Sequence, residues 1–233
     1  VAAALLVGGS FAIWKFWPNT TTAGPQAESS TAAAESQAPT TAVSSPSPSE
    51  TPSPTASPAS AESQKALEAC QAKVKAADEV LREGKIGVSH WAIHVKAQAD
   101  NLDGKITLTT MKTRFKATRL KGPADLKRYD DALSKYEDLK GSCAKVKGAD
   151  STVAATLKKC DERKAAQKPV LEATAAGMKD WQAHQKLMQL NAVHKAGTPA
   201  EAEASWLRQF HAAPKHIKAF KKATADFKDA TPC

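Results

Sequence analysis

The sequence predicts an all-α protein: a tandem repeat of two disulfide-stapled helical bundles, about four helices each, following a membrane segment and a disordered stalk. Three observations carry this. Apolar side chains recur at three- and four-residue spacing through Ser63–Cys233, and no window alternates as a strand would. The same residue types return after 90 or 91 positions. Four cysteines fall into two pairs of equal separation, Cys70 to Cys143 and Cys160 to Cys233, 73 residues each.

At the N-terminus, Val1–Trp14 is apolar apart from Ser10, and Lys15, Phe16 and Trp17 follow, an apolar core closed by a snorkelling lysine and interfacial aromatics. A full span takes about twenty residues. The chain opens on Val with no basic stretch ahead of the apolar one, so it reads as starting downstream of its true beginning. Thr21-Thr22-Ala23 is a poor cleavage site, and no cysteine stands where lipid attachment needs one. Residues 1–17 are therefore expected to be an uncleaved anchor, with a cleaved signal as the alternative. This places the protein at the cell membrane with its helical part extracytoplasmic.

Residues 18–62 hold eight of the thirteen prolines and almost no large apolar side chain. Such a tract cannot bury enough surface to offset ordering entropy, and its Pro/Ser/Thr/Ala composition is that of a disordered stalk. Fully extended it would reach about 140 Å. The first 62 residues carry Lys15 against Glu28, Glu35, Glu50 and Glu62, net −3, which leaves +12 on the helical part of a chain whose total is +9. Outside a cell, that excess favours an anionic envelope polymer, acidic lipid or protein partner over nucleic acid.

The helical part divides into repeat 1, residues 63–147, and repeat 2, residues 148–233. With an offset of 90, Leu67, Cys70, Val80, Leu81, Gly87, Trp91, His94 and Asn101 match Leu157, Cys160, Val170, Leu171, Gly177, Trp181, His184 and Asn191. After one inserted residue the offset becomes 91, matching Thr107, Phe115, Pro123, Tyr129 and Tyr136 with Thr198, Trp206, Pro214, Phe220 and Phe227. Gly84 and Gly87 are expected to break helix one from helix two. Thr198-Pro199-Ala200-Glu201 reads as a capping box with proline at the first helical position, and Pro123 and Pro214 are expected to open the last helices. The predicted helices span 63–83, 87–103, 107–121, 123–140, 153–173, 177–194, 198–212 and 214–229. Equal spacing within a repeat predicts pairing of Cys70 with Cys143 and of Cys160 with Cys233; each closed loop is worth about 4–5 kcal/mol in the chain-entropy account.

The candidate ligand ridge is the shared Trp-x2-His-x6-Asn pattern: Trp91, His94 and Asn101, then Trp181, His184, Met188 and Asn191, one face of helix two in each repeat. Imidazole and thioether suit copper, with His90/His94 chelating at i, i+4 and His194 joining the second set. The competing reading is a histidine packed beside tryptophan and hydrogen-bonded to a neighbouring helix, and it is preferred because Asp180 and Gln98 stand where the metal case wants His and Met. No cofactor is therefore expected. His211 and His216 flank Pro214, and His211 is placed at a helix end.

Gly104–Ala124 and Ala204–Ala225 contain no acidic residue. Lys112, Arg114, Lys116, Arg119 and Lys121, with Lys215, Lys218, Lys221 and Lys222, form a candidate cationic face; a solvated helix surface is the plainer account. Enzyme signatures such as G-x-S-x-G, H-E-x-x-H or a Gly-rich phosphate loop do not occur, so no enzyme is expected.

The stretch DWQAHQKLM, with the Trp206 helix, Ala213-Pro214 and the terminal Pro232-Cys233, resembles exported helical proteins of actinobacterial type for which no activity is assigned. The resemblance covers about eighty residues and implies an envelope location; the first half departs from it at Gln98. The expected function is a non-enzymatic extracytoplasmic binding or sensing module on a stalk, the alternative a copper-binding protein.

Overall fold

A computed structural model describes residues 58–192 and 197–233. The predicted anchor and most of the predicted stalk lie outside the described residues, and among those described no helix is long and apolar enough to cross a membrane. The described residues are helical, without strands: α1 (Pro58–Leu102), α2 (Leu108–Arg119), α3 (Gly122–Asp138), α4 (Ser151–Ala192) and α5 (Pro199–Phe227). Helix α1 begins inside the stretch assigned to the stalk, so residues 58–62 are helical.

Five helices replace the eight expected, because three of the predicted breaks are absent. Gly84 and Gly87 sit inside α1 and Gly177 inside α4. An interior glycine costs a helix only about 1 kcal/mol relative to alanine, and here it permits close approach. A Cβ on Gly84 would come within 2.1 Å of Thr174 Cγ2, one on Gly87 within 2.5 Å of Met178 Sδ, and one on Gly177 within 2.8 Å of Val88 Cγ2. The glycines mark where α1 and α4 cross. The third missing break lies at Pro214, which α5 carries in its interior, although Pro123, 91 positions earlier, opens α3 as expected. Before Pro123 stands Gly122, whose missing Cβ admits Gln185 Nε2, 2.1 Å from where it would lie, and before Pro214 stands Ala213, fully buried inside α5. The Thr198/Glu201 capping box is present, and Thr107 caps α2 through its hydroxyl in the same way.

Helix α1 packs most extensively on α4; α2 and α3 lie along α1, and α5 lies along α4. One core draws on all five helices, with Trp91, Phe115, Tyr129, Trp181, Trp206 and Phe220 among its members. The halves at 63–147 and 148–233 therefore share one interior rather than each enclosing its own. A smaller apolar cluster gathers Leu67, Val74, Val153 and Leu157 around Cys70, Cys143 and Cys160. Gly141 lets the segment after α3 cross α1 there, since a Cβ would meet the Ala69 carbonyl oxygen at 2.2 Å. Cys70 pairs with Cys143 and Cys160 with Cys233.

Candidate functional site

Beyond the glycine crossing, the interface of α1 and α4 becomes aromatic. Trp91 and Trp181, both fully buried, stack with ring centroids 5.5 Å apart. One turn further on, His94 and His184 meet edge on, Nε2 to Nε2 at 3.1 Å. The repeated positions thus face each other across the interface instead of lining separate ridges. Phe115 stacks on His94 at 3.8 Å, and Trp206, 91 positions later, sits edge-on to His184 at 5.6 Å. The far nitrogens are also held: His94 Nδ1 lies 3.0 Å from Thr118 Oγ1 and His184 Nδ1 lies 3.3 Å from Gln209 Oε1.

With one proton per ring this row is satisfied end to end. Thr118 donates to His94 Nδ1, His94 Nε2–H donates to His184 Nε2, and His184 Nδ1–H donates to Gln209. One further proton is also accommodated: His184 then donates from both nitrogens, His94 carries its hydrogen on Nδ1, and Thr118 turns its hydroxyl to the Arg114 carbonyl 3.0 Å away. Fully protonating both rings sets two N–H groups head to head. Burial holds both imidazoles neutral: it pushes His94 well below the usual histidine range, helped by His184 and Arg119, and His184 down to about 4 against the raising effect of Gln209. The indole N–H groups of Trp91 and Trp181 find no acceptor among the described residues.

His90 does not join His94. Its Nδ1–H donates to Asp125 Oδ2 at 2.7 Å, and His216 donates to Asp180 Oδ2 at the same distance. Offset by 90 and 91 positions, these are one contact with the residue types exchanged. Asp180 was counted against a histidine site; it is the carboxylate of the exchanged pair. A second recurring contact joins Lys73 to the Tyr136 ring, 3.8 Å from its centroid, and Arg163 to the Phe227 ring at 5.0 Å. Thr118, Gln209 and Asp125 are the contact residues that the sequence reading did not single out. The exchange of His90/Asp125 for Asp180/His216 is visible in the aligned halves and is the signal that finds Asp125.

Of the remaining ridge residues, Gln98 is buried, Met188 is half-buried, and the Asn101 carboxamide donates to the Ile106 carbonyl, closing the turn after α1. His194 lies outside the described residues, as does the Asn191 side chain. His211 is exposed inside a continuous α5, not at the predicted helix end. Among the described residues no group of three or more His, Cys, Asp or Glu side chains is placed to hold a metal ion.

The candidate cationic residues lie on α2 with the turn after it and on α5. On α2 and the turn after it, Lys116 and Lys121 are exposed, Arg114 reaches Asp100 at 3.4 Å, and Lys112 and Arg119 are half-buried. On α5, Lys215, Lys218, Lys221 and Lys222 are all exposed.

Two grooves complete the candidate surface, and both run where contacts between helices are thin. The groove between α3 and α4, of about 540 Å³, has a floor of Val80, Tyr129, Leu133, Tyr136 and Leu171 and a rim of Glu137, Asp161, Lys164, Lys168 and Glu172. The groove between α1 and α5 consists of two adjoining hollows of about 510 and 450 Å³ that share Ala92, Ile217 and Lys221. Its rim is Lys85, Lys96, Lys218, Lys221 and Lys228, with no acidic residue among its lining. Comparisons with protein-family models, with curated proteins and with solved structures found no match.

Proposed function

We propose that the chain is a tandem repeat that serves as a non-enzymatic binding or sensing module, held outside the membrane on its Pro/Ser/Thr stalk and directed at an anionic partner of the cell envelope. The observation that carries the reading is the distribution of ionisable groups: the imidazoles with depressed pKa are sealed in the core, while exposed lysines crowd α5. A buried pair without a path to substrate does little chemistry, and exposed cations attract anions over a Debye length. The repeat reading is supported by the recurring contacts: His90–Asp125 with Asp180–His216, and Lys73–Tyr136 with Arg163–Phe227.

The test uses polyphosphate as a soluble anionic polymer. Weak association with the full chain is expected at low ionic strength. It should nearly vanish in 1 M salt, where the Debye length is about 3 Å. No association at low salt, or association indifferent to salt, overturns the reading.

The copper reading draws on one fact, that His94 and His184 come together. Two imidazoles sharing an ion need metal–nitrogen distances of about 2 Å each, so a 3.1 Å gap would have to open, breaking the row to Thr118 and Gln209. Titration of the protein with copper should give no stoichiometric site that His184→Ala removes; tight binding lost in that variant would put the metal reading first.

A further inference from the structure

We infer that the groove between α1 and α5 is a docking site for an acidic amphipathic helix of a partner protein; this deepens the binding-module reading and rests on it. The floor is apolar and partly uncovered, with Val88, Ala92, Ile217 and Phe220 along it and Ile93 47% exposed at its edge. Lysines stand on both sides. Lys85 and Lys96 rise from α1, eleven residues or about 16 Å apart along the axis, and Lys218, Lys221 and Lys228 rise from α5.

Only Lys96 of these five is engaged, with Asp100 at 2.8 Å; the other four make no ion pair among the described residues. An occupant must therefore be acidic along both edges and apolar between them, and about three turns long. A helix with an apolar stripe flanked by Glu or Asp has that form, and helix-in-groove recognition reads such a stripe at i, i+3, i+4 and i+7.

The other groove shows that this rim is not a by-product of the fold. Offset by 91 positions, the rim lysines Lys221 and Lys228 correspond to Asp130 and Glu137 of α3, while Lys218 corresponds to Lys127. The floor positions keep their character, Phe220 for Tyr129 and Ile217 for Leu126, while the charge reverses at two of these three rim positions. The α3/α4 groove carries three acids among its five rim charges, where the α1/α5 groove carries none.

The experiment measures binding of a fluorescent, three-turn synthetic helix, leucine-striped and glutamate-flanked, to the full chain by anisotropy. A peptide of the same composition in scrambled order is the control, and anionic phosphatidylglycerol vesicles and polyphosphate are competitors. The ordered peptide should bind at least roughly tenfold more tightly than the scrambled one, and Lys218→Glu/Lys221→Glu should remove roughly tenfold. Lys112→Glu/Lys116→Glu, away from the groove, should change little. Equal binding of both peptides, or equal loss from both double variants, overturns the docking site. If polyphosphate binds but the ordered peptide does not, the groove assignment fails and the binding-module reading stands; if neither binds, both fail. Vesicles that bind through Lys218 and Lys221 while the peptide does not would make the occupant lipid and overturn the proposal.

Discussion

The grooves flanked by α3/α4 and by α1/α5 both have apolar floors and differ at the rim. Tyr129 on α3 matches Phe220 on α5, yet Asp130 and Glu137 stand where the α1/α5 rim has Lys221 and Lys228. The difference follows from what each position does. Floor side chains help fill the single core, where losing a large residue costs several kcal/mol. Exposed rim charges are worth about 0–1 kcal/mol each, so nothing in folding holds them to one sign. The same division runs through the molecule: contacts that hold α3 on α1 recur between α5 and α4, and the chemistry presented to solvent does not.

The largest expected effect that bears on this comparison lies in the disulfides. Both close loops of equal length, so the denatured-state contribution is the same, about 4–5 kcal/mol. Cys70 and Cys160 are both buried in the cluster of Leu67, Val74, Val153 and Leu157, but their partners differ: Cys143 is buried there too, while Cys233 is exposed. Cys70→Ser/Cys143→Ser should therefore lose more stability in urea denaturation than Cys160→Ser/Cys233→Ser, by the burial of Cys143. Equal losses would mean that burying Cys143 adds nothing, and a larger loss from the second pair would invert the comparison. Peptide mapping without reductant should return the same two pairings.

Much of this was legible before the structure. The helical period, both cysteine pairs, the Thr198 capping box and the matching Trp-x2-His segments all follow from the residues. The glycines misled, because an interior glycine has two meanings: a place where a helix ends and a place where another helix comes close. Gly84, Gly87 and Gly177 are the second kind, and only the partner atoms Thr174 Cγ2, Met178 Sδ and Val88 Cγ2 reveal it. The ridge of Trp91, His94 and Asn101 reads from one helix as a packed face beside tryptophan, without naming the helix it packs on. One helix's periodicity shows which side is apolar but not that the matching side of α4 lies against it.

The histidine pair joins the two halves at equivalent positions, and its expected effect is next in size. Both imidazoles are depressed by burial, so the unfolded chain binds more protons than the folded one between about pH 4 and pH 6.5. Stability should be full above about pH 6.5 and fall as the pH is lowered toward 4. His184 alone, moved from 6.5 to about 4, contributes on the order of 3 kcal/mol to that fall. Arg119 beside the pair acts in the same direction. Urea midpoints measured across this range should drop in the native chain and drop less in His184→Gln, which cannot take up the proton. A flat native profile would show that the rings meet solvent.

The smallest effect sharpens the comparison most directly, because it asks whether the exchanged His/Asp contacts are one contact. The first-half pair is a poor place to exchange residues: Asp125 is also held by Arg128 at 2.8 Å, and Arg128 reaches Glu83 at 3.0 Å, so four side chains would be disturbed. The second-half pair is simpler. Position 219, which matches Arg128, is alanine, and His216 and Asp180 contact each other with side chains 35% and 18% exposed. Asp180→His alone sets two imidazoles together, and His216→Asp alone sets two carboxylates together; each should lose about 1 kcal/mol of stability, modest because the pair is partly exposed. The double variant restores the arrangement found at His90 and Asp125 and should recover most of that loss, giving a coupling of about 1 kcal/mol in a double-mutant cycle. Additive losses would mean that the exchange is tolerated only where it occurred, and that the two halves are less alike in their packing than their matching distances imply.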